Sequence, residues 1–245
     1  MLSFDTETKD PELLTSGPGW GRKNGNIVGV SIGAKDRAGN IGGWYFPMRH
    51  EDTPEENMDP DVVLRWLKHT LGDARPKFGA NLIYDIGWLK EEGVRVGGHC
   101  HDIQHAEALL SETARVGLDT VAEKYLGEHK VSSELYQWCA DYYGGKPNDR
   151  QRANIYRAPP SLVGPYATAD ATLPLRIIEK QWPLLSDCDL GDLFMLETRL
   201  IPLLVEMRFA GVQIDIPFAE QLYDEMGTQR LTMMVLVVCT GLQIV

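Results

Sequence analysis

An α/β fold built on one sheet of mixed strand direction is the class that this sequence predicts. The first third contains β-rich segments, "MLSF", "NIVGVSIGA" and "GNIGGWYFPM", separated by turn-forming stretches rich in Gly and Asn. After about residue 58, short strands alternate with amphipathic helices. Successive hairpin strands pair antiparallel, whereas strands that alternate with helices pair parallel, so together they predict a mixed sheet.

The elements after the hairpins follow in order. In "MDPDVVLRWLKHTLGD", Asp59 at the N-cap and Pro60 at the first helical position predict a helix start. The segment "PKFGA" is predicted as a strand and "NLIYDIGWLKEEGV" as the next helix. The stretch "HCHDIQHAEALLSE" predicts a strand edge and a helix, and "GLDTVAEKYLGEH" predicts another helix.

A longer helix is predicted from Leu162 to about Leu185, with Pro165 in its first turn and Pro174 at a kink. The composition changes near Asp189, which predicts two domains, residues 1–189 and 190–245. The second begins with the amphipathic helix "DLFMLETRLIPLLVEMRFAGVQID", and Asp215 caps a further helix. The apolar stretch from Met233 to Val245 is expected to fray, to pair with another chain or to promote aggregation.

Composition limits the functional classes. The chain has 245 residues and a net charge of −11, which argues against a general polyanion binder. Nucleic acid is not excluded, because a metal site built from carboxylates contributes several of the negative charges. The four scattered cysteines predict reduced thiols in a cytosolic protein. The sequence indicates neither a signal peptide nor a membrane span.

The stretch "SFDTET" places two carboxylates, Asp5 and Glu7, at the end of the predicted first strand. Side chains at positions i and i+2 of a strand face the same side. Two like charges this close are unfavourable unless a cation lies between them. A lone D-x-E is most often a solvated strand end, so further carboxylates are needed to support a metal site.

Two further stretches supply such carboxylates. In "NLIYD", Asn81, Tyr84 and Asp85 open a helix directly after a strand. In "YATAD", Tyr166 and Asp170 are four residues apart and share a helix face. Each stretch alone is compatible with an ordinary surface pair. In this order, the three motifs resemble those of the 3′–5′ exonucleases of the DEDD superfamily, in the variant whose third motif carries tyrosine.

The resemblance covers roughly residues 1–220. The segments "GGWYFPMRH" and "HDIQHAEALLSE" are similar to proofreading exonuclease domains, and "LETRLIPLLVEMRFAGVQID" is similar to the passage into polymerase in family A DNA polymerases. It implies an RNase H-like mixed β-sheet flanked by helices, with a short C-terminal helical extension. Because the chain starts at the exonuclease strand, it most resembles a phage-type enzyme, which implies the cytoplasm of a bacterial host. The long loop from Lys9 to Asn26 and Pro165 next to the third-motif tyrosine depart from the pattern.

The resemblance and the chemistry together predict a site for two divalent metal ions, Mg²⁺ or Mn²⁺. Asp5 is expected to bridge both ions, and Glu7 and Asp170 to complete the site that holds the attacking water. Asp85 is expected to hold the second ion, and Tyr166 to orient the water.

The expected substrate is the single-stranded 3′ end of DNA. Asn81 and Tyr84 match family positions that contact the terminal nucleotide. In "DRQRANIYRAPP", Arg150, Arg152 and Arg157 belong either to a solvated loop or to a phosphate-binding segment, and both readings stay open. The expected partners are a polymerase domain and a processivity factor. Since family A palm carboxylates lie far downstream of "GVQID", we expect the chain to shorten a primer and not to extend it.

Three alternatives stay open at the level of sequence. The first is an RNA-trimming exonuclease of the same superfamily, and the second is a catalytically silent partner-binding module. The third is a zinc site in "GHCHDIQH", whose possible ligands are His99, Cys100, His101 and His105. Asp102, in the same stretch, is expected either to be structural or to support a neighbouring site residue.

Overall fold

A five-stranded mixed sheet organises the chain, as predicted. The computed structural model describes residues 1–129 and 132–240, with side chains described as far as residue 228. The strands are β1 (Leu2–Lys9), β2 (Asn26–Lys35), β3 (Ile41–Pro47), β4 (Lys77–Gly79) and β5 (Cys100–Asp102). Their order is β3-β2-β1-β4-β5, in which β1, β2 and β3 pair antiparallel and β4 pairs parallel with both β1 and β5.

The described residues also form helices. They are α1 (Leu13–Ser16), α2 (Pro60–Leu71), α3 (Leu82–Glu91), α4 (Ile103–Leu110), α5 (Leu118–Leu126), α6 (Ser133–Tyr143), α7 (Pro160–Asp187), α8 (Gly191–Ala210) and α9 (Ile216–Thr240). Two 3₁₀ segments cover Pro54–Glu56 and Asp149–Arg157. The predicted cap of α2 is confirmed, because the carboxylate of Asp59 accepts the N–H of Asp61. The predicted cap of α9 is confirmed by the carboxylate of Asp215, which accepts the N–H of Phe218.

Strand β1 is longer than "MLSF", and the prediction that Asp5 and Glu7 stand at its end is wrong. The strand pairs with β2 along its whole length and continues to Lys9, with a register shift between Glu7 and Thr8. Its ladder to β2 outweighs the low strand propensity of the two carboxylates. Asp5 and Glu7 therefore stand on a paired, rigid strand.

The predicted position of Pro165 is also wrong. Helix α7 begins at Pro160, so Pro165 lies in its second turn. A proline inside a helix has no N–H to donate to the carbonyl four residues earlier. The carbonyl of Ser161 therefore lacks its helical donor. Separately, the hydroxyl of Thr168 donates to the carbonyls of Gly164 and Pro165.

The segment after α5 contains elements that the sequence patterns did not predict. Helix α6 buries Leu135, Tyr136 and Cys139 on one face, in the spacing i, i+1, i+4. The arginine-bearing stretch before α7 folds as a 3₁₀ segment that buries Gln151 and Ile155. Together, α6 and this 3₁₀ segment form a small apolar cluster with the start of α7.

The chain forms two compact units, and the boundary between them lies after Phe209 instead of at the composition change near Asp189. The first covers Met1–Phe209, and the second begins at Ala210. Helix α8 belongs to the first unit, where it buries Phe194, Ile201 and Val205. Within the described residues, none of the helices combines the length and the apolar character that a bilayer crossing needs. The apolar stretch Met233–Val245 lies outside the residues whose side chains are described.

Helix α8 leads to a prediction about stability. Truncation to residues 1–189 should lower the free energy of unfolding by on the order of 5 kcal/mol relative to residues 1–209, because several buried side chains lose their cover. The truncation deletes Phe194 and Ile201, which are 1% and 0% exposed, and uncovers the side chains that they pack against. Phe209, whose ring stacks on Trp20 at 5.3 Å, is lost as well. Urea unfolding followed by circular dichroism measures the difference, and equal midpoints for the two fragments would contradict it.

Candidate active site

Three carboxylates meet above the centre of the sheet. Asp5, Glu7 and Asp170 each offer an oxygen atom, and these atoms all lie within 4.8 Å of one another. Glu7 and Asp170 are buried, and Asp5 is half-buried. Strand alternation brings the first two together on one face of β1, and α7 brings the third from more than 160 residues along the chain.

Small residues in the hairpin let α7 approach the sheet closely. A Cβ at Gly33 would lie 2.4 Å from the carbonyl oxygen of Ala171, and a Cβ at Gly43 would lie 2.8 Å from Thr172 Cγ2. Gly33 and Gly43 oppose each other in the β2–β3 ladder. Asp170 directly precedes Ala171, so this close contact determines how near its carboxylate lies to β1.

Tyr166 lies one helical turn before Asp170 and is 4% exposed. Its ring packs on that of Tyr136 from α6, with the centroids 6.1 Å apart. Burial raises the pKa of Tyr166 well above its usual value, and the negative charges of Asp170 and Glu7 add to this increase. The site therefore holds a protonated phenol beside the carboxylates.

The Asp85 carboxylate is held by Thr6, the residue that lies between Asp5 and Glu7 on β1. The backbone N–H of Thr6 donates to its Oδ1 at 3.0 Å, and the Thr6 hydroxyl donates to the same oxygen at 2.6 Å. Burial is the main cause that raises the pKa of Asp85 to about 7, and the Thr6 hydrogen bonds oppose that rise. Asp85 stands outside the group of three carboxylates described above, so its metal role stays a prediction.

Asp102 occupies a structural position, as expected. Its carboxylate accepts the backbone N–H of Leu82 at 2.7 Å and that of Gln104 at 2.8 Å. It thereby joins the first turns of α3 and α4. This joint positions the start of α3, which carries Asp85.

The two residues expected to contact the terminal nucleotide differ in their surroundings. Asn81 is exposed and stands at the N-cap of α3 with a left-handed backbone, φ 61°, which asparagine tolerates well. The hydroxyl of Tyr84 donates to Asp10 Oδ2 at 3.1 Å and lies 2.7 Å from Thr8 Oγ1. Tyr84 thus binds the loop that follows β1, and nucleotide contact by either residue stays a prediction.

The three arginines have different positions. Arg152 donates through Nε to the hydroxyl of Tyr136 at 3.2 Å, and its side chain is 53% exposed. Tyr136 packs on Tyr166 with the ring centroids 6.1 Å apart, which brings Arg152 near the carboxylate site, and the guanidinium also lies 3.9 Å from Asp119 Oδ2. Arg157 lies over the rings of Tyr143 and Tyr156. Arg150 is exposed at the start of the 3₁₀ segment.

Sequence reasoning missed a tyrosine–histidine pair beside Glu7. The hydroxyl of Tyr45 lies 2.7 Å from Nε2 of the buried His50. Gly29, the β2 partner of Glu7, has no side chain, and a Cβ there would lie 2.1 Å from the Tyr45 hydroxyl. Burial lowers the pKa of His50 to about 4, so the imidazole is neutral. The sequence signal for this pair was the glycine at position 29, but its meaning becomes clear only when the β1–β2 register places Gly29 opposite Glu7.

The three-carboxylate group fits a divalent cation. The three negative groups lie within 4.8 Å of one another and therefore repel one another unless a cation lies between them. Carboxylate oxygens are also the ligands that Mg²⁺ and Mn²⁺ prefer. The stretch His99–His105 forms no such group among the described residues. His101 packs on Phe78 and Phe194, with ring centroids 5.2 and 5.6 Å away. The zinc alternative is therefore not supported.

Comparison with known proteins identifies relatives along most of the chain. The family model described as "3′-5′ exonuclease", for DNA polymerase A, matches residues 1–186. A DNA-directed DNA polymerase of Pseudomonas phage M6 is 34% identical over 222 residues, which cover 87% of this chain and 31% of the relative. DNA polymerase I of Pseudomonas aeruginosa is 29% identical over 88% of this chain and 22% of its own length. The chain thus spans about a third or less of these relatives.

Solved structures share the fold. The structure described as Brucella melitensis NrnC has a TM-score of 0.57 at 15% identity, covering 86% of this chain and 85% of that one. The structure described as the POL domain of Pol1 from M. smegmatis has a TM-score of 0.57 at 19% identity, covering 100% of this chain and 34% of that one. At these identities the likeness concerns the fold, a mixed sheet flanked by helices of the RNase H-like 3′–5′ exonuclease type.

Proposed function

The chain belongs to the 3′–5′ exonuclease family of family A DNA polymerases, and we propose that it removes nucleotides from DNA 3′ ends by two-metal-ion hydrolysis. The observation that carries the proposal is the group formed by Asp5, Glu7 and Asp170, with oxygen atoms within 4.8 Å of one another. Its position beside Tyr166 supports the same chemistry.

Each side chain of the site has a separate role in the proposed hydrolysis. Asp5, Glu7, Asp85 and Asp170 are the proposed ligands, and divalent ions held there would activate a water and neutralise charge on the phosphoryl oxygens. Tyr166 orients the attacking water through its hydroxyl, since it is held rigidly one turn before Asp170. The Thr6 hydrogen bonds position the Asp85 carboxylate against the strand.

Substrate contacts surround this group. Arg152 would neutralise a phosphate near Tyr166 and Asp170, a role that its hydrogen bond to Tyr136 supports, and Asn81 presents an exposed amide at the start of α3. The proposed substrate is a single-stranded DNA 3′ end, in the proofreading role of a polymerase. The proposed partner is a polymerase domain, a processivity factor stays a prediction, and the proposed setting is the cytoplasm of a bacterial host, because several relatives are phage polymerases.

Chelation of divalent metal should abolish hydrolysis. End-labelled single-stranded DNA incubated with the protein and Mg²⁺ or Mn²⁺ is expected to shorten stepwise from its 3′ end, releasing nucleoside monophosphates. Excess EDTA should stop the reaction, because the carboxylates alone cannot activate water, and added Mg²⁺ should restore it. Hydrolysis that persists in EDTA would contradict the metal proposal.

The polarity and the sugar preference are tested with matched substrates. A 3′-phosphorothioate end should block shortening, whereas the same modification at the 5′ end should not. An RNA oligonucleotide of the same sequence separates the DNA proposal from the RNA-trimming alternative. Faster degradation of the RNA would favour that alternative.

A further inference from the structure

Tyr45 lies on the same face of the sheet as the strand carboxylates. In the ladders, Asp5 pairs with Ser31 on β2, and Ser31 pairs with Tyr45 on β3. Directly paired residues project from the same face of a sheet, so Tyr45 stands two strands away from Asp5 on the face that α7 covers. A Cβ at Gly164 of α7 would lie 3.8 Å from Tyr45 Cδ1, which is ordinary contact. The ring is therefore held between the sheet and the start of the helix that carries Asp170.

The Tyr45 side chain reaches towards Glu7 because Gly29 leaves space for it. Gly29 pairs directly with Glu7, and a Cβ at Gly29 would lie 2.1 Å from the Tyr45 hydroxyl and 2.4 Å from its Cζ. The hydroxyl thus occupies the place in which a side chain opposite Glu7 would begin. In an antiparallel pair, the Cβ atoms of opposite residues are about 5 Å apart. The hydroxyl therefore lies within contact range of the Glu7 side chain.

His50 fixes the Tyr45 hydroxyl in this place. Its Nε2 atom lies 2.7 Å from the hydroxyl, and the residue is 1% exposed. Asn57 fixes the backbone of His50, since its Oδ1 accepts the His50 N–H at 2.9 Å and its Nδ2 donates to the His50 carbonyl at 2.8 Å. An apolar side chain would fill the space at lower cost, because a buried hydroxyl needs a partner. The presence of a buried partner indicates that the hydroxyl itself has a role.

The Tyr45–His50 pair places a polar group beside Glu7 without adding positive charge. Burial raises the pKa of Tyr45 well above its usual value, and the negative charges of Glu7 and Asp5 add to this increase, so the phenol stays protonated. Burial lowers the pKa of His50 to about 4, so the imidazole is neutral. A lysine or an arginine in this place would repel a divalent cation. A neutral hydroxyl can contact a carboxylate and leave its negative charge available to the metal.

We propose that Tyr45 is a positioning residue, which together with His50 holds the Glu7 carboxylate towards the cation site. This proposal rests on the proposed function, in which the carboxylates bind divalent metal. Glutamate has one more rotatable bond than aspartate, so its carboxylate loses more conformational freedom when it binds a cation. Contact with a fixed ring and hydroxyl removes part of this cost in advance. Such support of a metal ligand is typically worth about 10- to 100-fold in metal affinity or activity.

Binding of Mn²⁺ to the metal-free protein, in the absence of DNA, tests this role. The electron paramagnetic resonance signal of unbound Mn²⁺ gives the Kd. Tyr45→Phe keeps the ring and removes the hydroxyl, so it should raise the Kd about 10-fold. His50→Leu should raise it similarly, because the hydroxyl loses its partner. His50→Gln keeps a polar group near the place of Nε2 and should restore a Kd close to that of wild type.

Gly29→Ala tests the contact from the neighbouring strand. The added Cβ displaces the Tyr45 ring, so this variant should also weaken Mn²⁺ binding about 10-fold. In a Tyr45→Ala background, the same substitution should change the Kd less than twofold, because no ring is left to displace. Gly117→Ala is the matched control, since a Cβ at Gly117 would meet no atom within 4 Å. It should bind Mn²⁺ like wild type.

In hydrolysis assays, the loss should fall on the metal requirement. Tyr45→Phe should raise the Mg²⁺ concentration for half-maximal rate, whereas the rate at saturating Mg²⁺ should stay within a few-fold of wild type. A merely structural role would lower the rate equally at all Mg²⁺ concentrations. Tyr125→Phe, which removes the hydroxyl of a partly buried tyrosine on α5, should change neither value.

The outcomes separate this proposal from the proposed function. A Kd for Mn²⁺ within twofold of wild type for both Tyr45→Phe and Gly29→Ala would overturn the positioning role, and the nuclease proposal stands if wild type hydrolyses 3′ ends. If Mn²⁺ binding depends on Tyr45 as expected but wild type does not hydrolyse DNA, the positioning role stands and the nuclease proposal fails. If wild type binds no Mn²⁺, both proposals fail.

Discussion

Asp170→Asn should reduce the rate of 3′-end hydrolysis by about 10³-fold or more. The substitution keeps the volume of the side chain and removes one of the three negative oxygens that lie within 4.8 Å of one another. A bound metal contributes several kcal/mol of transition-state stabilisation, and about 4 kcal/mol corresponds to a factor of 10³. Single-turnover hydrolysis of end-labelled DNA in saturating Mg²⁺ measures the loss.

The fold should survive this substitution. Removing one of several clustered carboxylates relieves repulsion, so the Tm of the metal-free variant should equal or exceed that of wild type. Asp187→Asn, an exposed carboxylate on the same helix, is the matched control and should leave both the rate and the Tm unchanged. Near-normal hydrolysis by Asp170→Asn would refute the metal assignment of the whole group.

The strands and most helices, α6 excepted, followed from the sequence because their signals were local. The Asp59–Pro60 start of α2, the hairpin turns and the Asp215 cap are each determined by residues within one turn. Phe4 and Leu82, which flank the motifs, both lie in the core and are 0% exposed. The length of β1 was missed, because ladder pairing with β2 lies outside the strand's own composition.

The rest of the site depended on contacts between distant segments. Gly33 and Gly43 determine how closely α7 approaches, but their role is visible only once the β2–β3 register is known. The Tyr45–His50 pair likewise requires Gly29 to be placed opposite Glu7. Helix α6 carries neither a motif nor a strong cap, since Ser132 makes no side-chain cap hydrogen bond.

Three of the four predicted metal ligands lie together, and the fourth shows what a motif cannot determine. The "NLIYD" motif places Asp85 at the start of α3, but its hydrogen bonds to Thr6 come from tertiary packing of α3 under β1. The neighbouring Tyr84 was expected at the nucleotide, yet its hydroxyl binds Asp10 and Thr8. Motif spacing determines the backbone position of a side chain, whereas tertiary packing determines which groups its polar atoms contact.

Tyr166→Phe should slow hydrolysis by about 10²–10⁴-fold without abolishing it, the range for loss of one positioned proton-handling group. The ring is 4% exposed and packs on Tyr136, so phenylalanine keeps the packing and removes only the hydroxyl. The carboxylates stay in place, so metal binding should persist, and the Mg²⁺ concentration for half-maximal rate should stay close to that of wild type. The Mg²⁺ concentration for half-maximal rate therefore distinguishes Tyr166→Phe from Asp170→Asn, which removes a proposed metal ligand.

The matched control for Tyr166→Phe is Tyr125→Phe on α5, a partly buried tyrosine whose hydroxyl lies near Glu107 and Lys124, away from the three-carboxylate group. It should hydrolyse DNA at the wild-type rate. If Tyr166→Phe matched wild type at every pH tested, its hydroxyl would have no part in orienting water. A loss as large as that of Asp170→Asn, together with a shifted Mg²⁺ requirement, would instead show that Tyr166 supports the carboxylates. A rate between these two limits, at unchanged Mg²⁺ requirement, is what an orienting hydroxyl produces.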